Sequence, residues 1–376
     1  MLPDVRECYF VVNAQTSVNS KMLLRRRPSC KFTVASLLCL TFLYMFYRQH
    51  MIGSIHKIGF HGEVKRWFGD PGVLSASNRK ISDLLVIGYL RGGTTLMGEL
   101  LALRNDTFYV YEPLHKFGDF RYFKPGYECS MNNETCRKSN RTDGQVLDVI
   151  RAIYNCDYSH FQDQLRTFQH LKSRGIESLN DQKWKMSFPE CQGKWNGCPK
   201  KYLSQCSKRK SIVSKVPRLS LSLASTLLDT ISHLKIIHLL RDPRAIMNSR
   251  TNLKWTPVPG GALSLCNKMT DDYLESVKLK TKYPGRLYTV FYEDLATHPL
   301  ETFKNIFNFA GYKISANDHL HLAQRTASSK RSSPGNTYCR NSSSVAFAWK
   351  NRINNIVLNE TNKACSNLYR LLGYPQ

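Results

Sequence analysis

The chain has 376 residues, 54 Lys and Arg against 28 Asp and Glu, and a net charge of +26. That length fits one large α/β domain of roughly 250–300 residues plus an anchor, and the charge calls for an anionic partner: nucleic acid, a membrane surface, a polyphosphate cofactor or an acidic glycan. No Cys-x-x-Cys pair occurs, and His319 and His321 are the only closely spaced histidines, so a zinc site is not expected and no metal is invoked.

Residues 1–31 read as a cytosolic tail and residues 32–47 (FTVASLLCLTFLYMFY) as a transmembrane signal anchor. The run carries no charge and would reach about 24 Å as a helix, enough for a thin internal membrane with snorkelling flanks. Lys21, Arg25, Arg26, Arg27 and Lys31 precede it and only Arg48 and Lys57 follow closely, which orients the short N-terminus to the cytosol. A cleaved signal peptide would end in small residues, whereas this run ends in YMFYRQH. Five N-x-S/T sequons follow the anchor, at Asn105, Asn133, Asn140, Asn341 and Asn359, as do nine of the twelve cysteines. Both features suit a glycosylated, disulfide-containing domain in an oxidising lumen, where nucleic acid is scarce.

Residues 48–80 are polar and broken by Gly and Pro, as in a stem, and residues 81–376 form the lumenal domain. Short apolar strands are predicted at 83–88, 108–111, 211–216, 234–240 and 287–292, with a helix over 94–104 and further helices between strands. This alternation predicts a P-loop-like parallel sheet covered by helices. The stretch 120–210, rich in Cys, Lys, Asn and aromatics, reads as an insertion with its own helices that shapes a substrate cleft.

Two segments carry chemistry. Gly88-Tyr-Leu-Arg-Gly-Gly-Thr-Thr95 joins the first strand to its helix, where main-chain N–H groups converge on an anion and Gly92 and Gly93 allow close approach. It resembles a P-loop without the lysine before the hydroxyl residue, which weakens an ATP- or GTP-hydrolysing reading. Its alternative is an ordinary strand-to-helix turn. LKIIHLLRDPRAIMNSR at 234–250 is a strand, then Arg241 at its carboxyl end, then Pro243 opening a helix that carries Ser249. Ligands of open parallel sheets bind off the carboxyl ends of the strands, so two anion sites on one edge suit a nucleotide with two separated phosphate groups.

With these segments on view, residues 83–376 resemble the carbohydrate 6-O-sulfotransferases that act on galactose, N-acetylgalactosamine and N-acetylglucosamine. The resemblance runs through Arg91-Gly-Gly-Thr-Thr95, FYVYEPL at 108–114, SKVPRL at 214–219, HLLRDPRAIMNSR at 238–250, FYEDLATHP at 291–299, and the tail from Trp349 to LLGY at 371–374. Family members usually carry R-S-G-S-S in the loop, and His115 and Lys116 stand where Trp-His is common.

The resemblance implies the sulfotransferase fold, a Golgi type II membrane address, and 3'-phosphoadenosine 5'-phosphosulfate (PAPS) as donor. It implies that Arg91, Gly92, Gly93, Thr94 and Thr95 hold the 5'-phosphosulfate, and that Arg241 and Ser249 hold the 3'-phosphate. Sulfuryl transfer needs positioning, charge neutralisation and a base. Glu112, at a strand end before Pro113, is the candidate base, with a structural ion pair as its alternative. Arg91 would neutralise the leaving phosphate; Lys215 and Arg218 would meet the sulfuryl group or an acidic acceptor, or form a solvated basic edge. The acceptor would be the 6-hydroxyl of a sugar on a glycoprotein glycan or glycosaminoglycan. A homo-oligomer is left open, and the competing reading is an inactive relative that binds nucleotide or glycan.

Overall fold

The computed structural model describes residues 81–102, 104, 106–117, 120–157, 206–254, 260–326 and 341–375. The expected tail, anchor and stem lie outside the described residues, as do Asn105 and the cysteines at 191, 198 and 339. Among the described residues no helix is long and apolar enough to cross a membrane.

In chain order the elements are β1 (Asp83–Ile87), α1 (Thr94–Ala102), β2 (Thr107–Tyr111), β3 (Arg121–Lys124), β4 (Tyr127–Ser130), β5 (Cys136–Lys138) and α2 (Asp143–Tyr154). Then come β6 (Ser211–Lys215), α3 (Leu221–Ala224), α4 (Thr226–Thr230), β7 (Leu234–Leu240), α5 (Pro243–Asn252), α6 (Gly260–Lys282) and β8 (Leu287–Phe291). The chain finishes with α7 (Tyr292–Thr297), α8 (Pro299–Ala310), α9 (Ala316–Thr326), α10 (Ser342–Phe347) and α11 (Asn355–Leu372).

Five strands form one parallel sheet in the order β2-β6-β1-β7-β8. Every residue of β1, sequence DLLVI, is buried, as a central parallel strand covered on both faces requires. Alternate side chains serve opposite layers: Leu85 and Ile87 join the core under α2, α3 and α4, while Leu84 and Val86 join Met97, Leu100, Ile306 and Phe307 from α1 and α8. A third cluster, with Ile246, Met247, Met269, Leu368 and Tyr369, packs α5, α6 and α11 together. The register places Tyr111, Lys215 and Val86 level with one another, so the carboxyl ends of three strands open at one place.

The stretch read as a helical insertion begins instead with a three-stranded antiparallel sheet, β3-β4-β5. Pro125 and Gly126, the latter at φ 73°, make its first turn, and a Cys129–Cys136 disulfide ties β4 to β5. A helix does follow: α2 starts at a capping box in which Thr142 accepts from Gln145 N and the Gln145 side chain accepts from Thr142 N. Two further disulfides among the described residues join Cys156 to Cys206 and Cys266 to Cys365.

Candidate active site

The turn from β1 to α1 is left-handed at two positions and leaves no room for a side chain at Gly92 or Gly93. Arg91 sits at φ 70° and Gly93 at φ 91°. A methyl group on Gly93 would run into the Tyr292 ring, and one on Gly92 would lie 2.9 Å from the Tyr89 carbonyl oxygen. Gly92 N donates to Tyr89 O at 2.8 Å, which closes the turn. Thr94 and Thr95 open α1, whose first turn holds no acidic residue, so its unpaired N–H groups present an electropositive end at the mouth of the sheet.

Arginines surround this loop. Arg91 Nε donates to Ser249 Oγ at 2.9 Å, and an Arg241 terminal nitrogen donates to the Arg91 carbonyl oxygen at 2.9 Å. The Arg241 guanidinium also lies 4.2 Å from the centre of the Tyr292 ring, the same ring that backs Gly93. Arg250 is buried and donates from Nε to Leu90 O at 3.1 Å; burial, then the neighbouring Arg91 charge, pulls its pKa down to about 10. Arg241 and Ser249, expected to share one phosphate, thus both contact Arg91, one through its carbonyl and one through its side chain.

The start of α5 is fixed from several sides. Asp242 caps the helix by accepting from Arg244 N, and Pro243 occupies the first turn. Asp242 N donates to Glu293 Oε1 at 3.0 Å, and Tyr374 OH donates to Glu293 Oε2 at 3.1 Å. The Arg244 guanidinium pairs with Asp242 and lies 4.5 Å from the Trp349 ring and 4.6 Å from the Tyr369 ring.

Across the mouth, Glu112 stands at φ 43° immediately after β2, and its backbone N–H donates to Lys215 O at 2.9 Å. One carboxylate oxygen accepts from Lys215 Nζ and the other from an Arg218 terminal nitrogen. All three side chains are buried. Burial pushes the Glu112 carboxyl up, but the Lys215 and Arg218 charges and hydrogen bonds more than reverse it, holding the pKa near 2. Lys215 Nζ also donates to Thr95 Oγ1 at 3.1 Å and lies 3.9 Å from the Tyr111 ring centre, so one ammonium bridges the candidate base and the turn from β1 to α1.

The residues singled out from the sequence therefore fall into two connected groups: Arg91 to Thr95 with Arg241 and Ser249, and Glu112 with Lys215. Arg218 is no solvated edge: it is the second cation on Glu112. Sequence reasoning missed Arg250 and Tyr374, and took the Tyr292-Glu293-Asp294 segment as scaffold whose carboxylates cap the following helix or pair with arginines. Tyr292 and Glu293 lie in the quoted YEDLATHP stretch, so a signal was present, but nothing local shows that their partners come from residues 93, 241, 242 and 374.

A family model described as "Sulfotransferase domain" matches residues 81–373. Among curated proteins, carbohydrate sulfotransferase 1 of Danio rerio is 25% identical over 343 residues, 79% of this chain and 79% of that protein. Human carbohydrate sulfotransferase 2 is 24% identical over 348 residues, 76% of this chain and 63% of that protein. The solved mouse sulfotransferase SULT7A1 complexed with PAP aligns over 78% of this chain and 86% of its own, at 12% identity and a TM-score of 0.39. The chain belongs to the sulfotransferase domain family, and the curated relatives it resembles are carbohydrate sulfotransferases.

Proposed function

We propose that this enzyme transfers a sulfuryl group from PAPS to a sugar hydroxyl, the 6-hydroxyl of N-acetylglucosamine, galactose or N-acetylgalactosamine being the position that the family resemblance favours. The observation that carries the reading is the Lys215 bridge, one ammonium touching both Glu112 and Thr95 of the anion loop. The loop from Arg91 to Thr95 would cradle the 5'-phosphosulfate, and Arg241 with Ser249 would take the 3'-phosphate. The acceptor oxygen attacks sulfur in line, the bond from sulfur to the 5'-phosphate oxygen breaks, and 3',5'-ADP leaves with its new charge facing Arg91. The acceptor proton goes to Glu112.

Paired with Lys215 and Arg218, Glu112 is ionised but weakly basic. A sulfonate that drew Lys215 toward itself would release part of that restraint and raise the basicity of Glu112 when the donor is in place. This coupling weighs against the inactive-relative alternative. The same reading places residues 32–47 across a Golgi membrane with the domain lumenal. Its described sequons, at Asn133, Asn140, Asn341 and Asn359, are exposed, as glycan acceptors must be.

The decisive experiment is sulfate transfer from labelled PAPS by residues 60–376 to keratan, chondroitin and N-acetylglucosamine-terminated acceptors. Incorporation that vanishes in Arg91→Ala is the expected result. Well-folded protein that does not bind PAPS would overturn the reading.

A further inference from the structure

We propose that the β3-β4-β5 sheet is an acceptor-side subsite for an anionic group, a sulfate or carboxylate on a sugar neighbouring the one that reacts. The proposal rests on the sulfotransferase reading and adds the class of acceptor. Its core is Glu128, whose side chain is 3% exposed and whose Oε1 accepts from both Arg121 and Arg137. Two guanidinium groups share one carboxylate, which leaves a net positive charge. The side chains of Arg121 and Arg137 are 39% and 59% exposed, so their remaining N–H donors face solvent. A guanidinium already oriented by a buried carboxylate loses little entropy when it meets an oxyanion, and its planar fork matches sulfate and carboxylate.

The cluster is rigidly built. Glu128 and Arg137 are register partners on β4 and β5, and the Cys129–Cys136 disulfide closes the adjacent pair. β5, sequence CRK, is exposed along its whole length, so neither Arg137 nor Lys138 is needed to fill a core. Between residues 121 and 141 the basic residues are Arg121, Lys124, Arg137, Lys138 and Arg141, against Glu128 and Glu134.

The cluster is also joined to the reacting end. Phe123 N donates to Arg218 O and Ser220 N to Phe123 O, each at 2.8 Å, a parallel bridge of Phe123 with Leu219. Arg121 therefore lies on the Pro217 side of that bridge, toward Lys215 and Glu112, and about 7 Å along the strand from Phe123. A glycan with its reacting hydroxyl at Glu112 would extend over this sheet.

The test compares two acceptors, a neutral N-acetylglucosamine-terminated oligosaccharide and the same chain sulfated on the adjacent sugar. Arg137→Ala should lower kcat/KM for the sulfated acceptor roughly tenfold, the scale of one charge-assisted hydrogen bond, while the neutral acceptor changes less than about twofold. Arg137→Lys should recover part of the loss, and 200 mM salt should weaken the sulfated acceptor selectively. Equal losses on both acceptors, or none on either, would overturn the proposal. Calorimetric binding of the sulfated oligosaccharide without donor separates this idea from the catalytic reading. Weaker binding to Arg137→Ala at unchanged Tm supports the subsite even if no turnover is found; identical binding removes it.

Discussion

Glu112 shows how residue-level chemistry decides between a base and a brace, since its carboxylate is buried, held at φ 43° and paired with both Lys215 and Arg218. If it takes the acceptor proton, Glu112→Gln should cut kcat at least 100-fold while PAPS binding persists, because Lys215 keeps its charge; initial rates with near-normal kcat would remove Glu112 as base. His238 makes a separate prediction. It is wholly buried beside Tyr89 OH, 3.0 Å from Nε2, and burial drives its pKa from 6.5 down to about 4, with Asp272 opposing and Lys268 assisting. A group whose folded pKa is depressed stabilises the fold above its unfolded pKa and loses that contribution as pH falls, here between about 6.5 and 4. Denaturant midpoints of the wild type should therefore fall through that window at up to about 1.4 kcal/mol per pH unit, and His238→Leu should lack that component. Parallel pH profiles for the two proteins would refute the assignment.

At the level of elements, the opening of α5 depends on the far end of the chain. Gly373, at φ 75°, ends α11 in a left-handed turn that brings Tyr374 against Phe291 and onto Glu293, whose other oxygen holds Asp242 N. Tyr374→Phe removes only the hydroxyl that orients Glu293. It should weaken 3',5'-ADP binding several-fold, within the roughly 0.5–1.5 kcal/mol of one hydrogen bond, and leave 5'-AMP binding unchanged, because only the Arg241 side of the site relies on this contact. Equal weakening of both nucleotides would mean general loosening instead. The five parallel strands were legible within a residue or two because each is an apolar run ended by Gly, a charged residue or a turn, and their alternation with helices implied the sheet. The β3-β4-β5 sheet was not, although Pro125-Gly126 marks its turn: β5 is three exposed residues, Cys-Arg-Lys, with no apolar alternation, and its register is held by a disulfide and an ion cluster. Pairings such as Arg218 with Glu112, or Tyr374 with Glu293, join residues 106 and 81 positions apart, and only the folded chain reveals them.

For the molecule as a whole, the sheet and the periphery are secured differently. The sheet is held by apolar burial on both faces, whereas the described disulfides lie in the elements around it: Cys129–Cys136 in the small sheet, Cys156–Cys206 after α2, and Cys266–Cys365 between α6 and α11. The last spans 99 residues and sits in the core that supports the start of α5 and the Tyr369 ring beneath Arg244. Closing a loop of that length restricts the unfolded chain by about 5 kcal/mol in the chain-entropy picture, and such bonds persist chiefly in oxidising compartments. Cys365→Ser should therefore lower the stability of protein secreted through a lumen by an amount of that order. Donor affinity should fall with it, because α11 supplies the platform for Arg244 and the turn that places Tyr374. When both proteins are first reduced with dithiothreitol, the same substitution should cost far less, since the cross-link is then absent from both forms. If the two losses are equal, the bond contributes through packing of the buried sulfur rather than as a cross-link, and an oxidising address is not needed to explain it.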